Sequence, residues 1–121
     1  MNDITTQQDL EKLVRTFYNK VLNDDLLKPH FAGMNVEAHF PVMISFWSNI
    51  VFADGAYKGN AFEKHLRLKL SAVDFAQWLS LFNETMNELF NGEKATLAIQ
   101  RAQSIAWIFE SKLKQNGLLL P

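Results

Sequence analysis

The segment LEKLVRTFYNKVL, residues 10–22, carries the clearest helical pattern in the chain. Its apolar side chains recur every three or four residues, as on the buried face of a helix; they are Leu10, Leu13, Val14, Phe17, Tyr18, Val21 and Leu22. Asp3 and the threonines after it offer N-cap oxygens, and Lys28-Pro29 favours a boundary beyond the segment. The pattern predicts a helix over residues 4–23.

Three more segments repeat this periodicity and predict helices of their own: residues 36–51, 75–90 and 95–113. Pro41 lies early enough in the first of them to fit its first turns. Alanines recur along one face of the last, which allows close helix packing. Since no segment shows sustained strand alternation, the predicted fold class is all-α.

The remaining stretches are expected to connect these helices. ADGAYKGN, residues 53–60, contains two glycines and predicts a loop, and Asn91-Gly92 predicts a tight connection. QNGLLLP, residues 115–121, is expected to be a frayed end, although its three leucines could instead cover a core edge or contact a neighbour. One short helix, ending near residues 69–71, is expected around Phe62, His65, Leu66 and Leu70.

Composition bounds the class of protein. The 121 residues are 48% apolar and carry a formal net charge of -1, which predicts one domain over residues 1–121. The 12 basic residues are dispersed among 13 acidic ones, so no nucleic-acid partner is expected. The absence of cysteine excludes disulfides and thiolate ligands and fits a reducing cytosol. With no secretory signal and no membrane-spanning segment, we expect a cytoplasmic protein whose modest length permits a monomer.

Aromatic and histidine residues are the candidates for chemistry. Ten phenylalanines and three tryptophans predict either a Phe-rich core or the walls of a site for a flat cofactor. His30, beside Pro29, is expected to be solvated or to cap, whereas His39 and His65 share helical faces with bulky apolar residues. Each of those two either bonds a backbone carbonyl or ligates a metal. Neither HExxH nor GxSxG is present, so the sequence does not support a zinc site or a serine-hydrolase site. Haem is a cofactor that one histidine can hold when the rest of the site is apolar.

Five motifs, in order along the chain, resemble those of the group III truncated haemoglobins of the globin superfamily. They are LVRTFYNKVLNDDLLKPHF (13–31), AHFPVMISFW (38–47), YKGNAFEKHLRL (57–68), FAQWLSLFNETM (75–86) and QRAQSIAWIF (100–109). The resemblance covers nearly the whole chain and implies a two-over-two helical sandwich around haem b. One departure is Val36, where the family often has a tryptophan, and it bears on packing at the haem edge.

The resemblance also implies roles for individual residues. His65 matches the proximal ligand of the haem iron, and Tyr18, His39, Met43 and Trp78 match the ligand-facing side. Trp47 is expected to be plain packing. Further haem contacts are expected from Phe31, Tyr57, Phe62, Lys64, Leu66, Arg67, Phe75 and Phe82, of which Tyr57, Lys64 and Arg67 could each reach a propionate.

Such a site implies binding of O2, NO or CO, and polar donors beside the ligand suit scavenging or sensing better than bulk transport. The alternative is a redox enzyme, either an NO dioxygenase or peroxidase-like, served by a separate reductase because no flavin or nicotinamide domain is visible. A third reading is a helical interaction module without haem, in which His65→Ala would be harmless. Whether His39 ligates iron in the ligand-free state stays open.

Overall fold

A computed structural model describes residues 1–55, 57, 59 and 69–120 of the chain. These ranges contain no strand and form, in order, α1 (Gln7–Leu22), a short 3₁₀ helix (Lys28–Phe31), α2 (Val36–Phe52), α3 (Ala72–Leu89) and α4 (Glu93–Gln115). The all-α prediction and the four long helices are confirmed. The short helix expected near residue 65 falls mostly outside the described residues, and Leu70 itself is not helical. None of the described helices has an apolar stretch that would cross a bilayer.

Reciprocal side-chain caps mark the start of two of the helices. Thr6 Oγ1 accepts the Asp9 N–H at 3.1 Å and the Asp9 carboxylate accepts the Thr6 N–H at 3.0 Å, so α1 begins after Thr6. The prediction that this helix begins near residue 4 is therefore wrong. Ile4 is instead fully buried in the core. Ser71 and Asp74 form the same reciprocal cap at the start of α3.

The N-terminus of α4 is capped by a residue far away in the sequence. Gly92 precedes this helix and has no side chain to offer, and the Asp3 carboxylate accepts the N–H groups of Lys94 at 3.0 Å and Ala95 at 2.9 Å. A Cβ at Gly92, where φ is +150°, would overlap the Asp3 carboxyl group. The close approach of Asp3 to Gly92 ties the start of the chain to α4.

The helices pack as two pairs, α1 with α2 and α3 with α4, and the pairs touch through α1–α3 and α2–α4. This is the predicted two-over-two arrangement. The alanine face of α4 is buried as predicted, through Ala95, Ala98, Ala102 and Ala106. Small side chains there let the other helices approach closely.

The C-terminal tail covers a core edge, so the expectation of a frayed end is wrong. The N–H of Leu120 donates to the carbonyl of Leu70 at 3.1 Å, and the N–H of Leu118 donates to that of Leu113 at 2.8 Å. Leu119 packs against a small apolar cluster, which contains Leu70, Phe75, Ala106 and Leu113. The tail therefore closes the gap between the start of α3 and the end of α4.

Removing the cap on α4 should destabilise the fold. We expect Asp3→Ala to lower the free energy of unfolding by about 1 kcal/mol, the usual cost of losing a cap, measured by urea denaturation. Asp25→Ala is the matched control, because the Asp25 side chain is 96% exposed and pairs only weakly with Lys28. Equal stabilities of Asp3→Ala and wild type would contradict the role of this cap.

The same cap should also give a pH dependence. Burial acts to raise the pKa of Asp3, but the N–H donors of Lys94, Ala95 and Ile4 outweigh it and lower that pKa below the ordinary value. A carboxylate with a lowered folded-state pKa stabilises the fold above its ordinary pKa and loses that effect as the pH falls through the lowered value. The stability difference between wild type and Asp3→Ala should therefore shrink in acid, and a constant difference would argue against it.

Candidate functional site

A cavity of about 650 Å3 lies among the helices, within the size range of pockets for small molecules and cofactors. All four α-helices and the 3₁₀ helix contribute to its described walls. Most of the lining side chains are apolar, and these are Leu27, Phe31, Met34, Val36, Val42, Met43, Phe46, Trp47, Leu70, Phe75, Trp78, Ile105, Ala106 and Phe109. The polar contributors are Tyr18, His30, His39, Tyr57 and Asp74.

Tyr18 and Trp78 bring two hydrogen-bond donors to this apolar wall. The Phe17 ring packs edge-on against both side chains, with centroid distances of 4.9 Å to Tyr18 and 5.4 Å to Trp78. Burial raises the pKa of Tyr18 to about 12, and a hydrogen bond from the Trp78 indole offsets part of that rise. The Tyr18 hydroxyl therefore stays protonated, and able to donate, at neutral pH.

The α2 wall carries the two other residues expected on the ligand-facing side. His39 and Met43 both line the cavity, and they lie one helical turn apart. Met43 is partly buried against the core, whereas His39 is exposed. Because His39 is both exposed and on the wall, it lies where the cavity meets solvent.

Four of the expected cofactor contacts are among the described residues, and three of these four line the cavity. Phe31, Tyr57 and Phe75 are on the wall. Phe82 is instead 1% exposed and lies behind the wall, its ring nearly parallel to those of Trp78 at 5.7 Å and Trp47 at 4.9 Å. Phe82 is therefore a packing residue that supports two wall tryptophans and does not line the cavity.

Five of the expected site residues lie outside the described residues, and they are Phe62, Lys64, His65, Leu66 and Arg67.

Among the wall residues that sequence reasoning did not assign to the site are Trp47, His30 and Asp74. Trp47 was expected to be plain packing, but it both packs on Phe82 and faces the cavity. His30 was expected to be solvated or to cap, but its side chain is 19% exposed and its Nε2 lies 3.2 Å from Asp74 Oδ2. The spacing Ser71-x-x-Asp74 signals a helix start, but nothing in the local sequence indicates that Asp74 faces a histidine.

These walls suit a flat and mainly apolar cofactor. Aromatic and aliphatic side chains surround most of the volume, so a hydrophobic ring system would be desolvated on binding. The Tyr18 hydroxyl, which accepts from the Trp78 indole, would be available to donate to a small polar ligand held against such a ring. The arrangement fits haem.

Comparison with known proteins agrees with this geometry. The family profile described as bacterial-like globin matches residues 1–108. The group 3 truncated haemoglobin of Campylobacter jejuni is 35% identical over 118 residues, which cover 92% of this chain and 93% of that protein. The crystal structure of a group III truncated haemoglobin from Campylobacter jejuni matches with a TM-score of 0.82 and 32% identity, covering 93% of this chain and 95% of the other. The chain therefore belongs to the bacterial-like globin family, among its group III truncated haemoglobins.

Proposed function

We propose that this chain holds haem b in the cavity, with His65 as the axial ligand of the iron, and binds O2, NO or CO for scavenging or sensing. Haem and diatomic ligands are what globins bind generally, so the family supports the broad class of function. The observation that carries the proposal is the apolar cavity with the Tyr18 and Trp78 donors on one wall. When bound, haem supplies an iron with an open coordination position for a diatomic ligand.

The proposed role of His65 is supported by sequence and by its neighbours along the chain. Tyr57 and Leu70 precede and follow His65, and both line the cavity. Of the other two histidines, His30 faces Asp74 and His39 is exposed. His65 also matches the proximal histidine in the family resemblance. We therefore propose that His65 would ligate the iron, with Lys64 and Arg67 as candidates to bind the propionates.

Tyr18 is the proposed main donor to the ligand. Its burial keeps the phenol protonated, and its edge-on contact with Phe17 restricts the position of the phenol ring. A donor in a low-dielectric pocket stabilises partial negative charge on a bound ligand more strongly than a donor in water does. Ligand release should then be slow, which favours scavenging or sensing over transport.

Redox turnover is the second candidate function. Tyr18, Trp78 and His39 place a hydroxyl, an indole and an imidazole on the cavity wall. Such donors assist O–O bond chemistry in haem enzymes. A separate reductase would then supply the electrons, and NO consumption that depends on an added reductase would distinguish this function from binding alone.

Changing the proposed axial ligand should alter the absorption spectrum. We expect the purified wild-type chain to show a strong Soret band that shifts when the reduced protein takes up CO, and His65→Ala to lose or alter that band. His39→Ala is the matched control and should retain the CO-bound spectrum of wild type. A His65→Ala spectrum identical to that of wild type would exclude this residue as the ligand.

Removing the Tyr18 hydroxyl should speed ligand release. We expect O2 dissociation from Tyr18→Phe, measured by stopped flow, to be about tenfold faster, as for the loss of one hydrogen bond in a buried site. Tyr57→Phe removes a hydroxyl from another part of the same cavity and should change the rate little. Because burial raises the pKa of Tyr18 to about 12, this phenol stays protonated near neutral pH. Its ionisation should therefore cause no pH dependence of the wild-type dissociation rate there. Equal rates in Tyr18→Phe and wild type would rule out the proposed donor.

A further inference from the structure

His30 and Asp74 contact each other on the cavity wall, and neither has a role in ligand binding as proposed above. His30 Nε2 lies 3.2 Å from Asp74 Oδ2, and the two side chains are 19% and 5% exposed. His30 belongs to the 3₁₀ helix and Asp74 to the first turn of α3. The pair therefore joins two elements through residues that are 44 positions apart in the sequence.

Capping of α3 does not by itself explain why Asp74 is buried. Asp9 has the same position in the cap of α1, where it accepts from Thr6, and it remains partly exposed. Asp74 Oδ2 accepts from the Ser71 N–H at 2.8 Å and the Ser71 hydroxyl at 3.1 Å, and it also faces His30. Burying a carboxylate costs free energy unless the carboxylate is paired. The contact with His30 offsets the cost of burying Asp74, which capping alone does not require.

The 3₁₀ helix depends on contacts of this kind, because it has no side-chain cap and none of its own residues is buried. It nevertheless carries Phe31, whose ring lies edge-on to Tyr18 at 6.1 Å and forms part of the cavity wall. One turn along α3, Gln77 Nε2 donates to Asp24 Oδ1 at 2.7 Å. Thus α3 contacts the segment between α1 and α2 through both of these polar pairs, and of the two pairs the His30–Asp74 contact lies on the described wall.

We propose that the His30–Asp74 pair is a clamp that closes the cavity between the 3₁₀ helix and α3 and slows escape of the bound prosthetic group. This inference rests on the proposed function, because the cavity must hold haem. The two residues act by positioning: they keep the Phe31 ring and the start of α3 in place as parts of one continuous wall. Neither contacts the diatomic ligand in this proposal.

Haemin loss to an excess of apomyoglobin, followed by absorbance, measures the clamp directly. We expect His30→Leu to release haemin about tenfold faster than wild type, as for the loss of one hydrogen bond to a charged group. His30→Gln retains a donor for Asp74 and should recover part of the difference. Gln77→Leu is the matched control, because it removes a second polar contact between α3 and this segment, away from the described wall, and should leave the rate close to that of wild type.

Two results would overturn the clamp: release from His30→Leu at the wild-type rate, or equal acceleration in Gln77→Leu. Failure of the wild-type chain to take up haemin would instead contradict the proposed function.

Hydrogen exchange of the haem-free chain then tests the contact alone. The N–H groups of residue 30 and Ala32, which donate to the carbonyls of Leu27 and Pro29, should exchange faster in His30→Leu than in wild type. Unchanged exchange would show that the pair does not hold the 3₁₀ helix.

Discussion

The packing of Phe17 against Trp78 and Phe82 is the contact on which the cavity depends. Phe17 comes from α1, and its ring meets the two α3 rings edge-on at 5.4 and 5.2 Å between centroids. Trp47 of α2 stacks on Phe82 at 4.9 Å, so four rings join three helices. Each such side chain contributes about 1.5–3 kcal/mol through burial, and a favourable ring pair about 0.5–1.5 kcal/mol more. Because Trp47 and Trp78 also line the cavity, the contact that joins the helices shapes the site as well.

The sharing of residues between core and site explains why the described part of the wall carries few polar groups. Tyr18 has the Trp78 indole as a partner, His30 has Asp74, and His39 is exposed to solvent. A buried polar group without a partner would cost stability in such an apolar setting. The same low-dielectric setting would make the Tyr18 hydroxyl an effective donor to the proposed ligand, so stability and the proposed ligand binding favour the same arrangement.

Local periodicity was enough to predict the four long helices, because each buries one continuous apolar face. It could not separate cavity from core: Phe75, Trp78 and Phe82 share a face of α3, yet only the first two reach the cavity. What covers an apolar face is decided by the neighbouring helix, and local spacing does not contain that information. The His30–Asp74 contact and the cap that Asp3 provides for α4 join residues distant in sequence, so they too became visible only in the fold.

The most direct test of the cavity as the haem site is a titration of haemin into the haem-free chain, followed by the Soret band. The same titration of Ala106→Trp shows whether the cavity is required, because Ala106 lines it and a larger side chain would occupy part of its volume. We expect one equivalent to saturate the wild-type chain, and the variant, still helical by circular dichroism, to bind about tenfold more weakly or worse, a difference of about 1.4 kcal/mol. Equal binding by a correctly folded variant, or no saturable binding by wild type, would contradict haem binding in this cavity.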